Sequence, residues 1–210
     1  AFDGTDAYSR ALPAPPLGAP PPALTVAVPD VATREFFGDA AQAASFDTAL
    51  AQLSALGARI VEIDFAPFFD VARMLYEGAW VAERMTVVED LMREMPDALH
   101  PVTARIIGAA DSLSAADAFR GIYRLAELRR RAEALMAGAD LLCVPSIPTL
   151  YSRADLEADP VGPNSRLGTY TNFVNLMDLC GIAVPTGPRP DGRPGSVTLL
   201  ARSGQDMLAA

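Results

Sequence analysis

Tyr76 and Arg84 stand eight residues apart in the stretch Tyr76-Glu77-Gly78-Ala79-Trp80-Val81-Ala82-Glu83-Arg84. On one continuous helix that spacing is just over two turns. It leaves the two side chains within about 80° of each other and about 12 Å apart along the axis. A kink at Gly78 would bring them closer. A phenol and a guanidinium facing one pocket suit a small planar carboxylate, because the arginine supplies a bidentate fork and the tyrosine one directional hydrogen bond. The residues alone leave a second arrangement open, with Tyr76 in the core and Arg84 paired to Glu77, Glu83 or another neighbouring carboxylate.

Other chemistries are restricted by what the 210 residues contain. All 17 cationic side chains are arginine, and there is no lysine. A Schiff base, a phosphate-binding lysine and a lysine general base are therefore excluded within this sequence. A single histidine, His100, leaves little room for histidine-rich metal sites or paired imidazoles. The sequence has no GxSxG, HExxH, CxxC or GxGxxG motif, so no metal and no cofactor is expected. Cys143 and Cys180 lie among apolar residues and read as buried free thiols of an intracellular, cytoplasmic protein. Pairing of either with His100 is disfavoured by that burial. The formal net charge of −9 argues against nucleic-acid and anionic-membrane partners. No apolar run approaches the roughly 18–20 residues that span a bilayer. The start at Ala1, without an initiator Met, points to a processed or excised piece.

The elements that must position Tyr76 and Arg84 follow from periodicity. Residues 1–23 read as an extended arm, rich in proline from Pro13 to Pro22. Leu24–Pro29 reads as a buried strand. Asp39 caps a helix running to about Leu56, with Phe46, Leu50, Leu53 and Leu56 inward and Gly57 as its stop. Ile60–Phe65 is the next strand, completing a βαβ unit. Residues 67–138 read as helical: one segment from Phe68 to about Glu94, a second after His100-Pro101, and a third from Ser114 to Gly138. The third opens on a Ser114…Asp117 capping box and turns Phe119, Ile122, Tyr123 and Ala126 inward. The run Arg129-Arg130-Arg131 reads as a solvated face. Asp140–Val144 is a strand, followed by a polar loop to Gly168 and a helix over Thr171–Leu179. Strands Ile182–Val184 and Ser196–Ala201 are joined through the turn signal Asp191-Gly192. The fold class is α/β, a mixed, mainly parallel sheet flanked by helices, with a local antiparallel pair.

Four stretches carry a resemblance. The segment Pro163-Asn164-Ser165-Arg166-Leu167-Gly168-Thr169-Tyr170-Thr171-Asn172-Phe173, continuing to Pro185, resembles the amidase signature family, and within it the allophanate hydrolase branch. The Tyr76–Arg84 stretch and Asp3-Gly4-Thr5-Asp6-Ala7-Tyr8-Ser9-Arg10 are similar to the same branch. Cys143-Val144-Pro145-Ser146-Ile147-Pro148-Thr149 resembles the family's strand-to-loop segment. The stretches span almost the whole sequence in the family's order.

The resemblance implies an amidohydrolase of urea catabolism, cleaving allophanate to ammonia and a carboxylated product that yields carbon dioxide. It implies a Ser–cis-Ser–Lys triad with a backbone oxyanion hole. It assigns the substrate carboxylate to Tyr76 and Arg84. The triad belongs to the family's N-terminal half, and no Gly-Gly-Ser-Ser stretch or lysine occurs here. Residues 24–210 are thus expected to be the C-terminal part of an incomplete amidase domain. That part would hold the substrate and be inactive alone, with the N-terminal half as its partner and homodimerisation left open. A sheet cut from its neighbours is expected to oligomerise or aggregate. Another amidase, an amidotransferase subunit and a non-catalytic assembly module remain alternatives.

Overall fold

The computed structural model describes residues 2–12 and 23–210, the side chain of Glu77 apart. The proline run Pro13–Pro22 of the expected arm lies outside the described residues. Residues 2–12 form successive turns closed by Asp3 and Asp6, which accept the Thr5 and Tyr8 backbone N–H groups. Arg10 ties this stretch down through a two-pronged pair with Asp178 at 2.8 and 2.6 Å, and donates to Ser203.

Five strands form one sheet: β1 (Thr25–Pro29), β2 (Arg59–Ile63), β3 (Leu141–Pro145), β4 (Leu179–Pro185) and β5 (Ser196–Arg202). Their order is β2-β1-β3-β5-β4. β1 pairs in parallel with β2 and β3, while β5 runs antiparallel to both β3 and β4. Four strands therefore share one direction and β5 alone opposes them, so the sheet is mixed, with two parallel and two antiparallel ladders where one local antiparallel pair was expected. Every residue of β1 and β3 is buried, as expected of central strands covered on both faces. Alternation sends Ala27, Leu142, Val144 and Leu200 to one core, and Val26, Val28, Leu141, Cys143, Val197 and Ala201 to the other.

The second core is closed by α1 (Ala40–Ala55), whose Asp39 cap accepts from the Gln42 N–H. Phe46 and Leu50 face inward, but Leu56 lies beyond the helix and is exposed. The first core is closed by α2 (Ala66–Glu77), α5 (Ala115–Met136) and the segment 170–177. Phe65, Phe68, Phe69, Tyr170 and Phe173 make a run of aromatic contacts there, with Phe65 and Phe68 stacked at 4.3 Å. Burying each such side chain contributes about 1.5–3 kcal/mol.

Four expectations are corrected. The helix expected over Phe68–Glu94 is two helices, α2 and α3 (Trp80–Glu94), with Gly78 in an extended conformation between them. The helix expected over Thr171–Leu179 is a chain of turns, ended by Asp178 at φ 54° and a bond from the Leu179 N–H back to Val174 O. That 6→1 closure is a helix-terminating motif, and it leads straight into β4. The loop before Gly168 carries two short helices, α6 (Arg153–Ala158) and α7 (Gly162–Leu167). In α5 the capping box of Ser114 and Asp117 is present, but Phe119, Ile122 and Tyr123 are exposed. Its buried face is Leu128, Ala132 and Met136, because the sheet and α2 lie under its C-terminal half. Of the two thiols, Cys143 is buried and Cys180 half-buried, and both are free. His100 caps α4 (Pro101–Gly108) from an exposed position.

Candidate functional site

The corner between α2 and α3 is held by packing. Ala79 and Trp80 press against α5 at Gly121, where an added Cβ would come within 2.9 Å of Ala79 Cβ and 3.5 Å of Trp80 Cζ3. Glycine at 121 is therefore a close-approach requirement. It fixes where α2 stops and α3 starts.

Tyr76 lies in the last turn of α2 and Arg84 in the second turn of α3. The break brings them together more closely than a straight helix would. The Arg84 guanidinium carbon is 4.6 Å from the centroid of the Tyr76 ring, a cation–π stack. The two residues share one corner, but not as two groups facing one pocket: the guanidinium lies over the ring, and of the two only Tyr76 lines the neighbouring cavity. Tyr76 remains largely exposed and Arg84 half-buried.

Tyr76 lines a cavity of about 400 Å³. Its walls come from three places: residues 32–37 after β1, the α2 side chains Phe69, Ala72, Arg73 and Tyr76, and Ser165, Thr169 and Asn172 at the end of α7. The first wall is pinned by Tyr170, whose hydroxyl accepts from Glu35 N at 2.8 Å and donates to Glu35 O at 3.1 Å. Burial pushes the Tyr170 phenol up to about 12, so it stays protonated and keeps donating. Phe37, at φ 50°, is a bulky residue in left-handed backbone at the cavity wall, and Arg166 sits over its ring at 5.3 Å. Holding such a conformation costs about 1–2 kcal/mol, so this wall is fixed by its surroundings.

Most polar groups around the cavity are engaged. Arg34 donates to Pro29 O, Asp47 and Glu62. Arg73 pairs with Asp70. Thr169 Oγ1 donates to Arg166 O. Among the described residues no group of three or more His, Cys, Asp and Glu side chains is placed to hold a metal. No helix among them is long and apolar enough to cross a membrane.

A second polar centre escaped the sequence reading. Arg189, in the β4–β5 connector, is buried and donates to Gln42 Oε1 at 2.8 Å, to both Asp39 carboxylate oxygens at 2.9 and 3.0 Å, and to Asp191. Thr149 also donates to Asp39. The only signal in the sequence was the turn Asp191-Gly192, which forms with Gly192 at φ 79°.

An α/β sheet with this strand order, carrying a cavity of mixed polar and apolar lining beside the segment 163–185, defines a class that sequence comparison places directly. A sequence model of the amidase family matches residues 8–209, and the chain belongs to that family. It is 40% identical over 204 residues to urea amidolyase of Lachancea kluyveri and 37% identical over 203 residues to urea amidolyase of Saccharomyces cerevisiae. Each match covers 96% of this chain and 11% of the relative, so the chain spans about a tenth of those proteins. The crystal structure of Kluyveromyces lactis allophanate hydrolase superposes with a TM-score of 0.89 at 38% identity, over 96% of this chain and 33% of that one.

Proposed function

We propose that this chain is the substrate-holding part of an amidase that hydrolyses allophanate, and that Tyr76 and Arg84 bind the substrate carboxylate. The carrying observation is that the Arg84 guanidinium is held 4.6 Å from the centre of the Tyr76 ring, and that Tyr76 lines the 400 Å³ cavity, although Arg84 is not itself among the lining residues. A guanidinium held over a ring can still turn N–H donors toward an anion, and those donors match a carboxylate in a bidentate fork. Tyr76 adds its hydroxyl from the cavity wall. Similarity to urea amidolyases and to an allophanate hydrolase supports the substrate class.

In this reading the Ser–cis-Ser–Lys triad lies in an upstream half of the domain, since the sequence holds no lysine to serve as its base. The chain alone is inactive. Residues 24–210 are the C-terminal portion of the domain, and the upstream half is its partner. Among the described residues β4 is one of the two edge strands of the sheet, with β2 the other, and it exposes Gly181, Ile182 and Ala183, which suits it to pair with a further strand. Two free thiols fit a reducing, cytoplasmic compartment.

The test is Arg84→Ala in an enzyme comprising this chain and the upstream half. Losing hydrogen bonds to a charged group corresponds to about a 10–100-fold rise in KM for allophanate. A neutral amide should be turned over with KM nearly unchanged. Equal effects on both would assign the pocket to a neutral-amide amidase or an amidotransferase subunit instead.

A further inference from the structure

We propose that Asn172 is a substrate-binding residue of this pocket that reads the uncharged amide end of the substrate, and that Gly168 positions it. The inference rests on the pocket being the substrate site and adds to it a contact at the end opposite the carboxylate.

Asn172 lines the same cavity as Tyr76 and is half-buried. Its neighbours in the segment are committed: Thr169 to Arg166 O, Arg166 to Tyr151, Tyr170 to Glu35. Among the described residues the Asn172 carboxamide takes part in no hydrogen bond, so one carbonyl acceptor and two N–H donors remain for a ligand. A carboxamide is self-complementary to a –CO–NH₂ or –CO–NH– group, donating to its oxygen while accepting from its nitrogen.

Gly168 explains how that group is held. It caps α7 at φ −82° and ψ 1°, a conformation open to any residue, so no backbone demand calls for glycine. The demand is spatial: a Cβ at Gly168 would overlap Nδ2, Oδ1 and Cγ of Asn172. The carboxamide thus lies against the bare backbone of Gly168, and the Asn172 N–H donates to Gly168 O at 2.8 Å. Gly168 leaves the seat, and the short turn fixes the residue that occupies it.

The test is kinetic, in the enzyme comprising this chain and the upstream half. Asn172→Ala should lower kcat/KM about 10–100-fold for allophanate and for a small neutral amide alike, because the amide is common to both. Asn172→Ser serves as a second truncation if the alanine variant folds poorly. Gly168→Ala should fall in the same direction with little change in thermal midpoint, since only the end of one short side chain must move. Gly168→Ala/Asn172→Ala should match Asn172→Ala alone, because the glycine acts through the asparagine. Asn172 variants within twofold of the parent, or a full additive loss in the double variant, would overturn the proposal. If Arg84→Ala raises KM for allophanate while the Asn172 variants are silent, only this inference fails. If Arg84→Ala is silent too, the pocket reading fails with it.

Discussion

Two arginines anchor two regions of this molecule, and they are built in opposite ways. Arg189 is sealed beneath the β4–β5 connector, with its side chain 2% exposed and its donors aimed at Asp39, Gln42 and Asp191. Arg84 rests on the Tyr76 ring at the α2–α3 corner, and among the described side chains its guanidinium has no ion-pair partner. One is saturated by the protein and the other is stacked by it. A saturated buried arginine fixes chain segments to each other, because removing it strands charges away from water. A stacked arginine has its orientation set and its hydrogen-bonding capacity reserved, which is the condition for recognising a ligand.

The contrast can be broken by stability measurements on the intact protein. Arg189→Ala should have the largest effect, a loss of about 3–5 kcal/mol, since it leaves Asp39 without its buried partner. Chemical denaturation reads it, and a loss below about 1 kcal/mol would show that the cluster is solvated and the contrast false.

Asp39→Asn should cost less, about 1–3 kcal/mol, because the cap oxygen survives while the ion pair does not. The pH dependence sharpens this. Burial raises the Asp39 carboxyl, but the Gln42 N–H, Arg189 and Thr149 outweigh it and hold it below its ordinary value. A lowered carboxylate contributes stability that is fully present above the ordinary carboxylate range and is lost as pH falls through the lowered value. The parent should therefore lose stability on acidification below about pH 4 more steeply than Asp39→Asn does, as read from denaturation midpoints across that range.

Arg84→Ala should have the smallest effect on stability, about 0.5–1 kcal/mol, the size of a solvent-accessible cation–π stack. Its large effect belongs to KM. A stability loss matching that of Arg189→Ala would place Arg84 among the structural arginines.

Much of the frame was legible. Strands β1 and β3 announced themselves as short apolar runs. The caps Asp39 and Ser114, and the turn at Asp191-Gly192, carry their reasons within a few residues. What was hidden depends on distance along the chain. The α2–α3 break is set by Ala79 meeting Gly121, and a lone glycine in a helical pattern does not reveal it. Phe119, Ile122 and Tyr123 have helical apolar spacing, yet the sheet lies beneath the other end of α5. Arg189 finds Asp39 across 150 residues, and no local pattern encodes that. At the site, spacing and chemistry singled out Tyr76 and Arg84 but left two arrangements open, the resemblance assigned them to a carboxylate, and the two do share a corner. Asn172 was not picked, because its signal is the room left by Gly168.

The notch at Gly121 also dictates an order of assembly. Tyr76 and Arg84 are both synthesised well before α5, but the corner that stacks one on the other is shaped by α5 lying against it. A nascent chain released only as far as α3 would carry both residues of the proposed carboxylate site without the α5 contact that shapes their corner. If the proposed site is correct, its geometry is acquired when α5 docks rather than when α2 and α3 form.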